Sequence, residues 1–266
     1  MGSTVEMLLW AWIILDLGVC SVSLPEITDR TFIDECLEEH NRARSFVSPA
    51  ASNMWQMTWD EGLAITARAW AKHCVFKHNT YLKDASRVHP TFTSVGENIW
   101  TGYPSSFDVT RAIKRWVDEK QYYDYGNNSC TGDCGHYTQV VWARSYKVGC
   151  AAQLCLNGAK RVIFVCNYGP AGNVNGGRPY ESQGAACSGC TGTCVDKLCR
   201  NQEQASQTSY NWTPDWDPAL ATSHSNYVVR GSNYVIILVV RPIALLLTFI
   251  AAYAVRYFYP HVFCYE

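Results

Sequence analysis

The chain has 266 residues, with 22 Lys and Arg against 23 Asp and Glu, 10 Trp and 13 Cys. Near-zero net charge without any Lys/Arg cluster excludes a nucleic-acid binder, which needs a basic face for phosphate, and an apolar content of 48% excludes a disordered chain or a mini-protein. The 17% charged fraction falls below the roughly 25% of an ordinary soluble domain, so part of the apolar content lies outside a globular core; 13 cysteines imply an oxidising compartment, and the odd number leaves at least one outside any intrachain pair.

Met7–Val19 (MLLWAWIILDLGV) has the length of the central region of a secretory signal, and small residues follow at Cys20, Ser21 and Ser23. Residues 1–23 are therefore expected to be removed, although Glu6 and Asp16 fit the pattern poorly and a buried N-terminal helix is the alternative. In Thr31–Ser45, Phe32, Ile33, Cys36, Leu37 and His40 recur at spacings of three and four, which predicts an amphipathic helix. Asp60 is placed as the N-cap of a second helix whose stripe is Leu63, Ala67, Trp70 and Cys74. A third is expected from about Phe107 to Lys120, with Val109, Ile113, Trp116 and Val117 inward. Lys147–Leu156 and Arg161–Tyr168, joined through Asn157-Gly158, read as a β-hairpin. Helices first and an antiparallel pair afterwards predict an α+β layered sandwich.

Six cysteines belong to this layout: Cys74, Cys130, Cys134, Cys150, Cys155 and Cys166. Cys187, Cys190, Cys194 and Cys199 lie within 13 residues that hold little else able to stabilise a fold, so two bridges are expected there; zinc is the weaker alternative outside the cell. Cys36 is left as a buried free thiol on the apolar face of the first helix.

Residues 200–233 are rich in Gln, Ser, Thr and Asn and show no apolar period, which predicts a polar stalk. Asn127 and Asn211 open glycosylation sequons. Tyr234–Val255 would span about 33 Å as a helix, close to the hydrocarbon thickness of a bilayer. Its 13 Leu, Ile, Val and Phe residues gain about 4 to 8 kcal/mol on insertion, against about 3 for Arg241, so a single membrane span is expected. Because the chain continues through residues 256–266, a cytosolic tail fits better than a glycolipid-anchor signal; Cys264 there is an inert thiol or an acylation site.

Four ionisable residues stand out by context: His78 after the second helix, Glu97 in GENIW, Glu119 at the end of the third helix and His136 in GHYTQVVW. Spacing alone leaves each open to a bland reading as a helix end, loop charge or satisfied core group. No H-E-x-x-H helix, G-x-S-x-G elbow or nucleotide glycine loop is present, and Thr101 and Thr138 have no context that would activate them.

GHYTQVVWARS (135–145) with IFVCNYGPAGNV (163–174), together with EHNRAR (39–44), MTWDEGLAITARAWAKHC (57–74) and GENIW (96–100), resembles the ordered motif set of the CAP superfamily: cysteine-rich secretory, antigen-five and pathogenesis-related proteins. The resemblance covers about residues 31–180. It implies a three-layer α-β-α sandwich over residues 24–180, a cysteine hinge over 181–199, and a cleft lined by His78, Glu97, Glu119 and His136. Such a set suits zinc or another divalent cation. The resemblance also implies, as an alternative, sterol or fatty-acid binding at the aromatic run Trp116, Tyr122, Tyr123 and Tyr125, and as a second alternative metal-dependent hydrolysis. The channel-regulating domain that follows the hinge in cysteine-rich secretory proteins has no counterpart here. The expected role is that of a membrane-anchored extracellular binding or signalling module in the secretory pathway, facing an unidentified protein or lipid partner.

Overall fold

The computed structural model describes residues 24–156 and 158–220, with short pieces between 246 and 258. The signal over residues 1–23 and the tail's Cys264 lie outside the described residues, as does most of the expected span at 234–255; no helix among the described residues is long and apolar enough to cross a membrane. Residues 24–220 form one compact unit.

Helix α1 (Arg30–Ser45) starts at Asp29, whose side chain accepts from the Thr31 N–H, and buries Phe32, Ile33, Cys36 and His40 as the spacing predicts. The short strand β1 (Thr58–Trp59) leads into α2 (Glu61–Ala71), capped by Asp60 through the Leu63 N–H. Strand β2 (Gly96–Gly102) follows two 3₁₀ turns at Thr80–Lys83 and Ala85–Arg87. Helix α3 (Val109–Asp118) is shorter than the apolar period suggests, because the chain tightens into a 3₁₀ turn at Glu119–Tyr122. After the small β3 (Tyr123–Asp124) and β4 (Ser129–Cys130) ladder comes the six-residue α4 (Gly135–Val140), then the hairpin β5 (Lys147–Cys155) and β6 (Arg161–Gly169). The cysteine hinge folds as β7 (Thr193–Val195) and β8 (Leu198–Arg200), followed by the single turn α5 (Gln202–Ala205).

The sheet order is β1-β5-β6-β2, with β1 parallel to β5 and the rest antiparallel. Alternation along the strands separates two faces. Phe164 of β6, opposite Ala152 and Trp100, carries Phe32 of α1 and Trp116 of α3 on one face. Gly149 of β5 faces α2 on the other, where an added Cβ would come within 2.2 Å of the Ala64 backbone nitrogen. The layers are thus α1, α3 and α4, then the sheet, then α2. Gly149→Ala is expected to lower stability by about 2 kcal/mol or more, read as a fall in the denaturant midpoint at unchanged slope, because backbone rather than a movable side chain blocks the methyl.

All ten expected cysteines are bonded: Cys74–Cys155, Cys130–Cys134, Cys150–Cys166, Cys187–Cys194 and Cys190–Cys199. Among the described residues Cys36 is the free thiol, and it is fully buried. Cys187, Cys190 and Cys199 bring their sulfurs together, but each is in a disulfide, so the hinge offers no thiolate to a metal.

The predicted stalk requires correction over its first part. Residues 201–220 lie on the domain: Trp216 is 8% exposed, Asp217 is buried, and Trp212 packs against the core. Composition missed this because the segment carries its apolar groups as isolated aromatics without a helical or strand period. Asn127 and Asn211, the two sequon residues, are both exposed.

Candidate functional site

Edge strand β2 organises the site. By the pleat, Glu97 and Asn98 point to opposite faces of the sheet: Glu97 sits opposite Asn167 on the α2 face, and Asn98 opposite Cys166 on the α1/α3/α4 face. On the α2 face the chain leaves α2 and reaches His78, whose Nδ1 lies 3.0 Å from Glu97 Oε1; the same oxygen accepts from the Asn79 N–H at 2.8 Å. On the other face, Asn98 donates to the His136 carbonyl at 3.0 Å and to the Tyr168 hydroxyl at 3.1 Å. The two histidines therefore come from opposite layers on either side of the edge strand β2.

His136 opens α4, a helix whose N-cap, Cys134, provides no side-chain acceptor. Glu119 takes that place. Its Oε2 accepts from the His136 N–H at 3.0 Å and the Tyr137 N–H at 3.3 Å, while its Oε1 lies 2.6 Å from His136 Nδ1. The 3₁₀ turn that ends α3 early is what aims Glu119 there. Trp116 stacks on His136 from below, with centroids 6.2 Å apart and an interplanar angle of 14°.

The structure joins the four predicted residues as two carboxylate–imidazole pairs. It does not make them a four-ligand set, since among the described residues no three of them bring ligand atoms within 4.8 Å of one another. An ionised carboxylate can only accept, so each Nδ1 carries the proton and each Nε2 is left as a neutral donor of a lone pair. Glu97 and Glu119 thus orient the two imidazoles through Nδ1, a carboxylate–histidine contact of the kind that also occurs behind the ligands of zinc sites. The Glu97 hydrogen bond raises the His78 pKa, and burial raises that of Glu97 despite its bonds to His78 and Asn79. Both shifts mean that the pair holds a proton more tightly than its separated members. Glu97 Oε2 is buried without a partner, as are Asn79 Nδ2 and both side-chain polar atoms of Asn167, its neighbour across the strand. His78 itself is open, with 64% of its side chain exposed.

The aromatic run does not form one surface. Trp116 is 2% exposed and sits between Phe164 and His136; Tyr123 bonds Asn128, and Tyr125 stacks on Tyr180 and donates to its carbonyl. Tyr122 alone of the four is solvent-exposed. Sequence reasoning also missed Asn98, whose only signal was its place in GENIW. Asp60, His89 and Thr91 superficially recreate a hydrolase triad, with His89 Nε2 2.9 Å from Asp60 Oδ1. His89 Nδ1 accepts from the Thr91 and Phe92 N–H groups, however, and is not free to deprotonate a hydroxyl.

The model described as the cysteine-rich secretory protein family, CAP, matches residues 37–168. Mouse glioma pathogenesis-related protein 1 is 45% identical over 244 residues, covering 90% of this chain and 89% of the relative. The chain belongs to the CAP family. Human GLIPR1-like protein 1 is 48% identical over 196 residues, 70% of this CAP chain and 81% of the relative. Among solved CAP-like structures, the crystal structure of NaASP2 with Zn2+ has a TM-score of 0.50 at 30% identity, covering 65% of this chain and 96% of the other. Na-ASP-1 has a TM-score of 0.54 at 27% identity, with 67% and 51% covered.

Proposed function

We propose that this CAP chain is an extracellular binding module, tethered by residues 234–255, whose two site histidines hold a divalent cation of the zinc class. The observation that carries the reading is that both histidines have Nδ1 engaged by a carboxylate, at 3.0 and 2.6 Å, which leaves both Nε2 atoms to a metal. The apolar run at 234–255 supports the tether, and five disulfides among the described residues support an oxidising compartment. The zinc in the NaASP2 structure lends support from a relative. The burial of Trp116 leaves the lipid reading without its central aromatic.

Titrating metal-stripped full-length protein with zinc chloride in a calorimeter tests this. His78→Ala and His136→Ala are each expected to abolish measurable binding, while Glu97→Gln and Glu119→Gln weaken it about tenfold. Binding that survives both histidine substitutions sinks the reading. Protons compete for His78, and its pKa is raised, so affinity should begin to fall at a pH above the ordinary histidine value of 6.5. In Glu97→Gln that acid edge should move to lower pH.

A further inference from the structure

The chain around His78 is held from both sides by one residue of the C-terminal segment. Before His78, the Trp70 indole N–H donates to the Lys77 carbonyl at 2.8 Å. After it, Asn79 Oδ1 accepts from the Tyr81 N–H at 2.9 Å, which starts the 3₁₀ turn, while the Asn79 N–H reaches Glu97. Trp216 fills the space between these two anchors. Its ring meets Trp70 edge-on at 6.1 Å and stacks on Tyr81 at 4.9 Å with an interplanar angle of 14°. Its indole N–H donates to the Arg87 carbonyl at 2.9 Å.

The flanking residues fasten the wedge. Arg87 also lies over the Tyr81 ring, 4.3 Å from the centroid, and pairs with Asp215 at 3.0 Å. Lys72, just past α2, pairs with the buried Asp217 at 3.3 Å. Upstream, Tyr210 donates to Asp60 at 3.1 Å and Lys147 donates to the Ser206 carbonyl at 2.6 Å. Residues 206–217 are therefore a strap across α2 and the loop that follows it. The exposed Arg87–Asp215 pair contributes little by itself; the desolvated indole, locked among aromatics, is the anchor.

We infer that Trp216 is a positioning residue for His78, acting through Trp70 and Tyr81 to hold Lys77–Tyr81 against Glu97. The metal affinity of His78 then depends on the strap that leads out of the domain. That consequence rests on the metal reading above, whereas the positioning itself does not.

Hydrogen–deuterium exchange on the full-length chain, followed by mass spectrometry, separates the two. In Trp216→Ala, peptides covering residues 77–83 should exchange at least about tenfold faster, while those covering β6 keep their wild-type rates. Zinc chloride titration of the same protein should show about tenfold weaker binding, and Trp216→Phe, which keeps a ring in the slot, should recover most of both. Tyr81→Leu removes the stacked partner but leaves both ion pairs, and gives the same reading if Trp216→Ala fails to fold. Unchanged exchange at 77–83 overturns the inference, and so does equal acceleration in β6, which would mark a purely global effect. If wild-type protein binds no zinc while 77–83 still responds to Trp216→Ala, the metal reading falls and the positioning stands.

Discussion

Arg44→Lys, on paper a conservative change, is expected to destabilise the domain by about 4 kcal/mol. Arg44 is 1% exposed, and its guanidinium donates to the carbonyls of Trp55, Val140, Trp142, Ala143 and Ser145 at 2.6 to 3.1 Å. Burial pushes its pKa down to about 9, so it remains charged at neutral pH with carbonyl dipoles in place of a carboxylate. Lysine would keep the cost of burying a charge yet present three donors from one point, where a planar fork now reaches five acceptors. Arg44→Met removes the charge but strips the Trp55, Val140 and Ser145 carbonyls, and should cost about 3 kcal/mol. Urea midpoints at unchanged slope measure both. A loss below about 1 kcal/mol for lysine would mean that the surrounding carbonyls find other donors.

Acid should destabilise the protein well above the carboxylate range, through His40. Its ring is fully buried, with Nδ1 2.7 Å from the Cys36 carbonyl and Nε2 2.9 Å from the Tyr168 hydroxyl. Burial, assisted by the Arg44 charge, lowers its pKa from 6.5 to about 4. The unfolded chain takes up a proton below pH 6.5 that the native state refuses until about pH 4. This contribution is complete above 6.5 and is lost as pH falls, at about 1.4 kcal/mol per pH unit and about 3 kcal/mol in all. The raised pKa values of His78 and Glu97 act in the opposite sense, since they favour the native state as pH falls. Comparing wild type with His40→Gln isolates His40, because both chains share every other titrating group. The two stability curves should converge between pH 6.5 and 4; curves that stay parallel would show that His40 is not buried neutral.

Much of the site could be read in the chain because its residues sit in long motifs, but their division of labour could not. Glu97 in GENIW reads as a loop charge, and becomes an edge-strand residue only because β6 supplies seven paired positions to β2. Glu119 belongs to a helix by its period, yet its use depends on the 3₁₀ turn that delivers it to α4, whose backbone N–H groups no residue of its own caps. Trp116 belongs both to the inward stripe of the third helix and to the aromatic run; its burial against Phe164 bears out the first placement and takes it out of the second.

Local patterns were sufficient for whatever depends on neighbours a few residues apart: the cap at Asp60, the buried stripe of α1, the β5–β6 hairpin and the unpaired Cys36 on that stripe. The tertiary structure alone decided what depends on distant segments meeting. It matched Cys74 to Cys155 across 81 residues, set the two histidines on opposite layers around one strand edge, and turned a stretch that looks like solvated stalk into a strap. The physical reason is that periodicity reports burial only when apolar groups repeat along one element. Trp216 and Arg44 each draw their energy from partners with no sequence register to them, so no local pattern could announce either.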